Sequence, residues 1–242
     1  MTVRDRLLYT TKTDDRSRMR AVANNLILHI HPTKVAKPAL RFSYTWGLGG
    51  ISTLLAMILA ITGVLLMFRY DASIDRAYTS IQTMETEVLF GSLVRSLHHW
   101  SANLLIVTAF LHMLRVFFSG GFKQGRSANW IVGLALLLLV IAFNFTGYLL
   151  PWDQLAIWAI TVGSNMARAH PLIGHEGPFA ELMGVNARYD ARSLLTAGRL
   201  IGPATLLRFY VLHCIFIPVI AAVLMVVHFW RVRKDGGISG PL

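Results

Sequence analysis

Four stretches of this chain contain no Asp, Glu, Lys or Arg, and each is long enough to cross a membrane as a helix. They cover residues 42–68, 96–114, 127–152 and 209–230. A helix needs about 20 apolar residues to cross a hydrocarbon core of about 30 Å. Membrane strands would instead give alternating segments of about 10 residues. The sequence therefore predicts an all-α membrane protein with four transmembrane helices, spans A to D, at about 44–68, 94–117, 128–150 and 207–231.

The net charge is +11, and the Lys and Arg residues are distributed as in a membrane protein rather than as in a nucleic-acid-binding protein. Four spans place both termini on one side, and that side (residues 1–41, 115–126 and 231–242) carries 15 Lys/Arg in 65 residues. The other side (69–95 and 153–208) carries 8 in 83. The membrane is expected to be a prokaryotic cytoplasmic membrane, and the positive-inside rule predicts that both termini lie in the cytoplasm or its equivalent. We call that face the n side and the opposite face the p side, and no nucleic-acid partner is expected.

Two regions are predicted along the chain. Residues 1–41 form an n-side segment, too charged for a cleaved secretory signal, in which residues 21–30 could form an interfacial amphipathic helix ended by Pro32. Residues 42–242 form the four-helix domain. Its longest polar connection, about 151–206, is too long for a structureless loop and should contain short helices on the p side.

Four histidines lie inside the apolar spans. His98 and His112 are 14 residues apart in span B, and His213 and His228 are 15 apart in span D. These intervals are close to four helical turns, or about 21 to 23 Å. Spans B and D both run from the p side to the n side, so His98 should share a depth with His213, and His112 with His228. Facing histidines at one depth can ligate a six-coordinate haem iron.

The four-helix bundle is therefore predicted to bind two haems between spans B and D. Any one of these histidines could instead be a hydrogen-bonded packing residue. Polar rings are costly in hydrocarbon, however, and four matched by depth favour a functional role. His99 is rotated by about 100° around the helix from His98 and should face elsewhere. Cys214 is the only cysteine, which excludes a CxxCH attachment site within the chain.

Glycines repeat the same interval in the other two spans. Gly49 and Gly63 are 14 apart in span A, and Gly133 and Gly147 are 14 apart in span C. Glycine costs up to about 1 kcal/mol in a helix relative to alanine, so this pattern calls for a steric reason, which the edge of a flat macrocycle would supply. Gly49 and Gly133 would adjoin the n-side haem, and Gly63 and Gly147 the p-side haem. Ordinary small-residue packing between membrane helices is the alternative.

Arginines at the span ends could bind the haem propionates, because the guanidinium group matches carboxylates. Arg95 and Arg115 are favoured, since each lies three residues from a proposed ligand. Membrane anchoring by snorkelling explains any single arginine equally well. The candidates are Arg95 and Arg208 at the p side, and Arg115, Arg126 and Arg233 at the n side.

These residues resemble a known family, the amino-terminal four-helix half of cytochrome b and especially its short form, cytochrome b6. The resemblance covers the chain from about residue 42 to its end, and the 15-residue interval in span D resembles b6 rather than mitochondrial cytochrome b, which has 14. The matching motifs are Arg95-Ser-Leu-His98, Leu111-His112, Ser119-Gly-Gly-Phe-Lys, Thr146-Gly-Tyr-Leu-Leu-Pro-Trp-Asp-Gln154, Arg208-Phe-Tyr-Val-Leu-His213, His228-Phe and Gly237-Ile-Ser-Gly-Pro-Leu242.

The resemblance implies two non-covalent b haems in a dimeric quinol oxidoreductase complex. Implied partners are a Rieske iron-sulfur protein, a c-type cytochrome and a separate subunit that completes cytochrome b and carries a Pro-Glu-Trp-Tyr motif. This chain's share of the p-side quinol pocket would be Tyr148, Leu149, Leu150, Pro151, Trp152 and Asp153. The b6 proteins tether a third haem through a cysteine, where this chain has Gly47, so a covalent third haem is not expected.

The predicted function is that of a di-haem subunit in a quinol oxidoreductase, with cytochrome c or a plastocyanin-type protein as acceptor. Electrons would cross from p-side quinol oxidation to n-side quinone reduction, coupled to proton translocation. One alternative is a di-haem anchor linking quinone to a hydrogenase, formate dehydrogenase or nitrate reductase. The motif from Tyr148 to Gln154 and the long p-side segment disfavour it. Another is a haem-free transporter or assembly subunit.

Overall fold

The computed structural model describes residues 41–123, 125–198 and 200–235, together with Met19 and Lys37. Within these ranges the regular secondary structure is helical. The possible amphipathic helix at 21–30 lies outside the described residues. The helices are α1 (Phe42–Thr45), α2 (Leu48–Met67), α3 (Ala77–Thr86), α4 (Gly91–Phe118), α5 (Ser127–Tyr148), α6 (Gln154–Arg168), α7 (Ala191–Thr196), α8 (Pro203–Val211) and α9 (Ile217–Lys234), with a π-helical turn (Leu212–Phe216) between α8 and α9.

Four helices in the described ranges are long and apolar enough to cross a membrane, as the sequence predicted. They are α2, α4, α5 and the continuous helix from Pro203 to Lys234 formed by α8, the π-helical turn and α9. Their side chains are mostly exposed although they are apolar, as at Ile61 (62%) and Val226 (69%). Apolar surface on this scale is costly in water and is the natural outer face of helices in lipid.

Capped helices organise the long connection between α5 and α8. Asp153 Oδ1 accepts a hydrogen bond from the Ala156 N–H at 2.7 Å and so begins α6. Asp190 Oδ1 accepts one from the Ser193 N–H, also at 2.7 Å, and begins α7. Such caps satisfy backbone donors that have no partner inside the helix. The segment that separates the third and fourth apolar helices is therefore ordered by its own sequence signals.

Asp190 also accepts a hydrogen bond from His175. The distance between Asp190 Oδ2 and His175 Nδ1 is 2.5 Å. Burial by itself would raise the pKa of this carboxyl, but the hydrogen bonds from Ser193 and His175 outweigh it, and the pKa lies below the usual value. Because this pKa is lowered, the ionised carboxylate stabilises the folded state at any pH above the ordinary pKa of aspartate. This stabilisation is lost only in stronger acid, when the carboxylate is protonated in the folded state as well. The cap of α7 is therefore fully formed at neutral pH.

The chain divides into two compact units. The first comprises residues 1–50, 109–136 and 222–242. Within it, Arg115 lies over the Tyr44 ring at 4.2 Å and its Nε donates to the Tyr44 carbonyl at 3.1 Å. The Phe117 ring stacks on Phe122, and Trp130 packs against both. These contacts join α1, the end of α4 and the start of α5.

The second unit comprises residues 51–108 and 137–221. Its core consists of the buried side chains of Ala77, Leu149, Ile160, Leu206 and Phe209. Tyr70 packs on this core, stacks on Tyr210 with 5.6 Å between ring centroids, and donates a hydrogen bond to the Leu150 carbonyl at 2.7 Å. Burial, followed by the neighbouring Cys214, raises the pKa of the Tyr70 phenol, which keeps its proton available for this bond.

Candidate functional site

His98 and His213 face each other inside the second unit. Their ring centroids are 6.3 Å apart and the ring planes are inclined by 68°. Metal–nitrogen bonds of about 2 Å on each side of one ion, with about 1 Å more to each ring centre, place two imidazole centroids about 6 Å apart. The spacing therefore fits two axial ligands of a single metal ion. Imidazoles on opposite faces of a haem can be rotated relative to each other, so the inclination is compatible with this arrangement.

The protonation of His98 follows from its partner Thr62. His98 Nδ1 lies 2.9 Å from Thr62 Oγ1, and the hydroxyl lies 2.7 Å from the Ile58 carbonyl. A carbonyl can only accept, so the single hydroxyl proton points to Ile58 and the hydroxyl oxygen accepts from Nδ1–H. The proton of neutral His98 is then on Nδ1, and Nε2 carries the lone pair. This tautomer is the one that ligates a metal through Nε2.

His213 is held in the same way from α5. Its Nδ1 lies 3.1 Å from the Phe143 carbonyl and 3.2 Å from Thr146 Oγ1, which itself donates to the Ala142 carbonyl at 2.8 Å. Because the Phe143 carbonyl cannot donate, Nδ1 must carry the proton. Both rings at this site therefore present an unprotonated Nε2, with the opposite nitrogen anchored to a neighbouring helix.

His112 and His228 are brought together within the first unit, close enough for electrostatic interaction. Nδ1 of His228 is buried and makes no hydrogen bond of good geometry with the described residues. The backbone carbonyl of Asn129 is nevertheless close enough to attract the N–H of this ring. The structure thus joins the histidines in the pairs that the sequence predicted, but it supports the second pair with fewer hydrogen bonds than the first.

Two imidazoles at each level suit a haem better than a bare metal ion. Within the described ranges no group of three or more His, Cys, Asp or Glu side chains could hold a metal. A metal site built from protein alone commonly needs three or four ligands, whereas a haem iron already has four ring nitrogens and needs two more. The donor set of each pair therefore fits a haem with two histidine ligands.

Each of the four spaced glycines lies against one of these imidazoles. A Cβ added at Gly147 would lie 2.6 Å from His213 Cε1, and one added at Gly63 would lie 3.3 Å from His98 Cε1. The sequence pattern alone predicts room for the edge of a macrocycle. In the structure, the space without a side chain is filled by the neighbouring imidazole itself, which gives the glycine interval a direct steric cause.

The same contact recurs at the other pair. A Cβ at Gly49 would lie 3.2 Å from His112 Cε1, and a Cβ at Gly133 would lie 3.5 Å from His228 Cε1. The second distance is ordinary van der Waals contact, whereas the first is tighter than most. The four glycines therefore differ in how strictly the absence of a side chain is required, and Gly147 is the most constrained.

Two of the predicted propionate ligands in the second unit have partners. Arg95 forms an ion pair with Glu85 of α3, and Arg208 donates to the Leu194 carbonyl. A guanidinium group has five N–H donors, so one partner does not prevent a second interaction. Glu85 could not be predicted as a partner of Arg95, because their separation of 10 residues along the chain gives no sign of an ion pair.

The remaining three arginines belong to the first unit. Arg126 donates to the Asp235 carbonyl at 2.5 Å, and Arg233 lies in the last turn of α9. Arg115 has one terminal nitrogen that is buried without a hydrogen-bond partner among the described residues, next to its contact with Tyr44. An unpaired buried N–H of a charged group is costly, which makes Arg115 the strongest candidate in this unit for a carboxylate ligand.

The predicted quinol segment is a tight turn between α5 and α6. Leu149 is completely buried, Trp152 adopts a left-handed conformation (φ 54°), and Asp153 is engaged as the N-cap of α6. The hydrogen bond from Tyr70 fixes the Leu150 carbonyl, while Tyr148 remains 46% exposed. Tyr70 was missed from the sequence, where nothing marks it as a partner of residues 80 positions away.

The unequal histidine intervals are explained by the π-helical turn at Leu212–Phe216, in which the Ile217 N–H bonds to the Leu212 carbonyl. In a regular α-helix, an interval of 14 residues rotates around the helix axis by about 40° less than four full turns. An interval of 15 residues rotates by about 60° more than four full turns. A π turn holds one more residue than an α turn. The 15-residue interval from His213 to His228 therefore rotates by about the same angle as the 14-residue interval in α4.

This geometry predicts opposite results for two deletions that both shorten the interval to 14. Deleting Cys214, inside the π-helical turn, should convert it to α-helix and preserve the facing of both histidines. Deleting Val223, in regular α9, should leave the wide turn in place and rotate His228 by about 100°. Haem content should remain unchanged in the first variant and fall by half in the second. Equal haem loss in both variants would contradict this interpretation of the π turn.

Comparison with known proteins decides the family. The family model described as Cytochrome b/b6/petB matches residues 34–236. The chain belongs to the cytochrome b/b6 family. Cytochrome b6 of Heliomicrobium gestii is 40% identical over 195 residues, which is 81% of this chain and 84% of that protein. The menaquinol:cytochrome c reductase cytochrome b subunit of Geobacillus thermodenitrificans is 38% identical over 232 residues, which is 95% of this chain and 96% of that protein.

A solved structure titled "Hyperthermophilic respiratory Complex III" contains a chain that matches this cytochrome b/b6 protein with a TM-score of 0.76 and 28% identity. The match covers 94% of the present chain and 55% of that chain. The present chain therefore spans about half the length of this structural relative. The fold of the present chain is therefore shared with part of a chain from that respiratory complex.

Proposed function

We propose that this cytochrome b/b6 protein is the di-haem subunit of a quinol oxidoreductase that reduces cytochrome c or a plastocyanin-type acceptor. The observation that supports this most strongly is the His98–His213 pair, with its 6.3 Å ring separation and both Nδ1 atoms anchored by hydrogen bonds. Family membership supplies the second argument, because relatives of similar length are named cytochrome b6 or a menaquinol:cytochrome c reductase subunit.

His98 and His213 would ligate one b haem, and His112 and His228 a second, both non-covalently. When bound, the two haems supply one-electron transfer between a quinol-oxidation site at the p side and a quinone-reduction site at the n side, coupled to proton translocation. The protein orients the four imidazoles, and Gly49, Gly63, Gly133 and Gly147 provide the space that these rings need. Arg115, with its unpaired buried nitrogen, would bind a propionate of the n-side haem, and Arg126 and Arg233 are further candidates there.

At the p side, Arg95 and Arg208 would bind propionates of the other haem. The turn from Tyr148 to Asp153 would form this chain's share of the quinol pocket. Its role would be to shape the pocket, because Asp153 is already used as a helix cap and Leu149 is buried in the core. Tyr70 would hold this turn in position through the Leu150 carbonyl. The rest of the pocket would come from a separate subunit with a Pro-Glu-Trp-Tyr motif.

The remaining assignments concern assembly and orientation. A Rieske iron-sulfur protein and a c-type cytochrome would be partners in a dimeric complex, consistent with the relative titled as a respiratory Complex III. Both termini would lie in the cytoplasm, with 1–41 as an n-side segment and 42–242 as the di-haem domain. Gly47 adopts a left-handed conformation (φ 63°) and offers no thiol, so in-gel haem staining after denaturation should show no covalent band.

The function is tested by adding a reduced quinone analogue to the complex purified from membranes through a tag on this chain. The expected results are reduction of the b haems by the quinol and co-purification of a Rieske protein and a c-type cytochrome. Haems reduced by dithionite but not by quinol would contradict the proposal. A co-purifying hydrogenase, formate dehydrogenase or nitrate reductase would instead support the di-haem anchor.

A further inference from the structure

The two histidine pairs differ in the residue that precedes each glycine. Thr62 precedes Gly63 and Thr146 precedes Gly147, whereas Leu48 and Val132 precede the glycines of the other pair. Both threonines are buried, with exposed fractions of 5% for Thr62 and 3% for Thr146. Most other residues of the apolar helices are not buried. Each hydroxyl contacts the Nδ1 atom of a histidine on another helix. The hydroxyls are therefore present at one site and absent from the matching positions of the other.

We propose that Thr62 and Thr146 are positioning residues that lower the reduction potential of the haem held by His98 and His213, and that the His112–His228 site lacks this effect. The inference rests on the proposed haem ligation, and it assigns a role to two residues that touch the ligands rather than the haem.

The direction of the effect follows from the hydrogen bonds. Each hydroxyl proton is committed to a carbonyl of its own helix, at 2.7 Å for Thr62 and 2.8 Å for Thr146. The hydroxyl oxygen must then accept from Nδ1–H. Accepting that proton makes the imidazole a more basic ligand. A more basic ligand stabilises ferric iron more than ferrous iron, because the ferric ion has the greater charge. The potential of the haem therefore falls.

A purely structural role is the competing explanation, because threonine in a helix often bonds the carbonyl four residues earlier without further purpose. Thr161 in α6 makes such a bond, to the Ile157 carbonyl at 2.7 Å, and takes part in none of the histidine contacts described above. It provides a matched control for losing a threonine hydroxyl. A structural role would alter stability or haem content, whereas the proposed role alters the potential of one haem.

The test is a redox titration of the b haems in the purified complex carrying Thr62→Val, Thr146→Val or Thr161→Val. In Thr62→Val the reduced-to-oxidised ratio of the His98–His213 haem, at a fixed applied potential, should rise about three- to tenfold, where tenfold is about 59 mV for one electron. Thr146→Val should have a smaller effect, because its contact with the imidazole is longer, 3.2 Å against 2.9 Å for Thr62. Thr161→Val should have no effect, and Thr62→Ser should restore the native ratio.

The reverse substitution tests the same idea at the other site. Val132→Thr has the same one-residue offset from Gly133 as Thr146 has from Gly147. His228 Nδ1 is buried there with no hydrogen bond of good geometry among the described residues, although the Asn129 carbonyl interacts with the ring. The reduced-to-oxidised ratio of the His112–His228 haem should fall about threefold or more, because the added hydroxyl would accept a hydrogen bond from His228 Nδ1–H. The His98–His213 haem should be unchanged.

An unchanged ratio in Thr62→Val with full haem content overturns the proposal. If that variant binds no haem at the affected site, Val132→Thr decides, and an unchanged ratio there overturns it. These failures are distinct from failure of the proposed function, because a wild-type complex without b haems would remove the ligation on which the inference rests. Two haems in the wild type with no response to the threonine substitutions would remove the inference alone.

Discussion

Replacing His112 with Ala is expected to remove one of two haems and leave the other in place. The iron at that level would lose one of its two protein ligands, and the remaining contacts of a haem with apolar helices do not fix its position or its six-coordinate state. His228→Ala should give the same result, because the two side chains act as one ligand set. Haem per chain should fall from two to one in each variant, with the component that depends on His98 and His213 retained in a pyridine haemochrome assay and a redox titration.

The matched control is His99→Ala. His99 is adjacent to His98 but is exposed, and its Nε2 lies 3.3 Å from the Asn103 side-chain nitrogen rather than facing another histidine. This variant should keep both haems, as measured by the same pyridine haemochrome assay and titration. If His112→Ala removed the component that depends on His98, the pairing of histidines by depth would be wrong.

The second large effect is expected from Gly147→Ala. The added Cβ would lie 2.6 Å from His213 Cε1 and 3.1 Å from Nδ1, so the ring must move away from the position in which Nδ1 bonds to Phe143. Overpacking of this kind costs about 1–3 kcal/mol. That cost corresponds to a loss of about fivefold to more than a hundredfold in haem affinity. The haem held by His98 and His213 should be substantially depleted after purification.

Alanine at the other glycines should give a graded series. Gly49→Ala and Gly63→Ala, with contacts at 3.2 and 3.3 Å, should weaken haem retention less than Gly147→Ala. Gly133→Ala, at 3.5 Å, should be close to neutral. Gly50→Ala is the control on the same helix as Gly49, because nothing lies within 4 Å of its added Cβ. Haem content that falls equally in Gly133→Ala and Gly147→Ala would show that contact with the imidazole does not explain the glycine pattern.

The four apolar helices could be predicted because the membrane imposes a length and a composition that few other structures satisfy. The histidine pairs were predictable for a related reason. A helix converts spacing along the chain into depth, so His98 and His213 could be matched without any knowledge of their contacts. Polar rings within such spans are also rare enough to stand out.

Contacts between residues distant in sequence could not be predicted in the same way. Nothing in the sequence shows that Thr62 would reach His98, although the repeated Thr-Gly pair in two spans was a signal that could have been used. The π-helical turn at Leu212–Phe216 was visible only as an unequal interval, because an extra residue in a helix has no composition of its own. The use of Asp153 as a cap was readable from its place before a helical segment, but its motif suggested the quinol pocket instead.

We propose that the four histidines form two separate haem sites within one chain. A pyridine haemochrome assay on the purified complex, with the chain quantified independently, tests it most directly. Two b haems per chain are predicted, falling to one in His112→Ala and in His213→Ala and to none in the double variant. A wild-type value of zero or one, or two haems that survive both substitutions, would contradict the account.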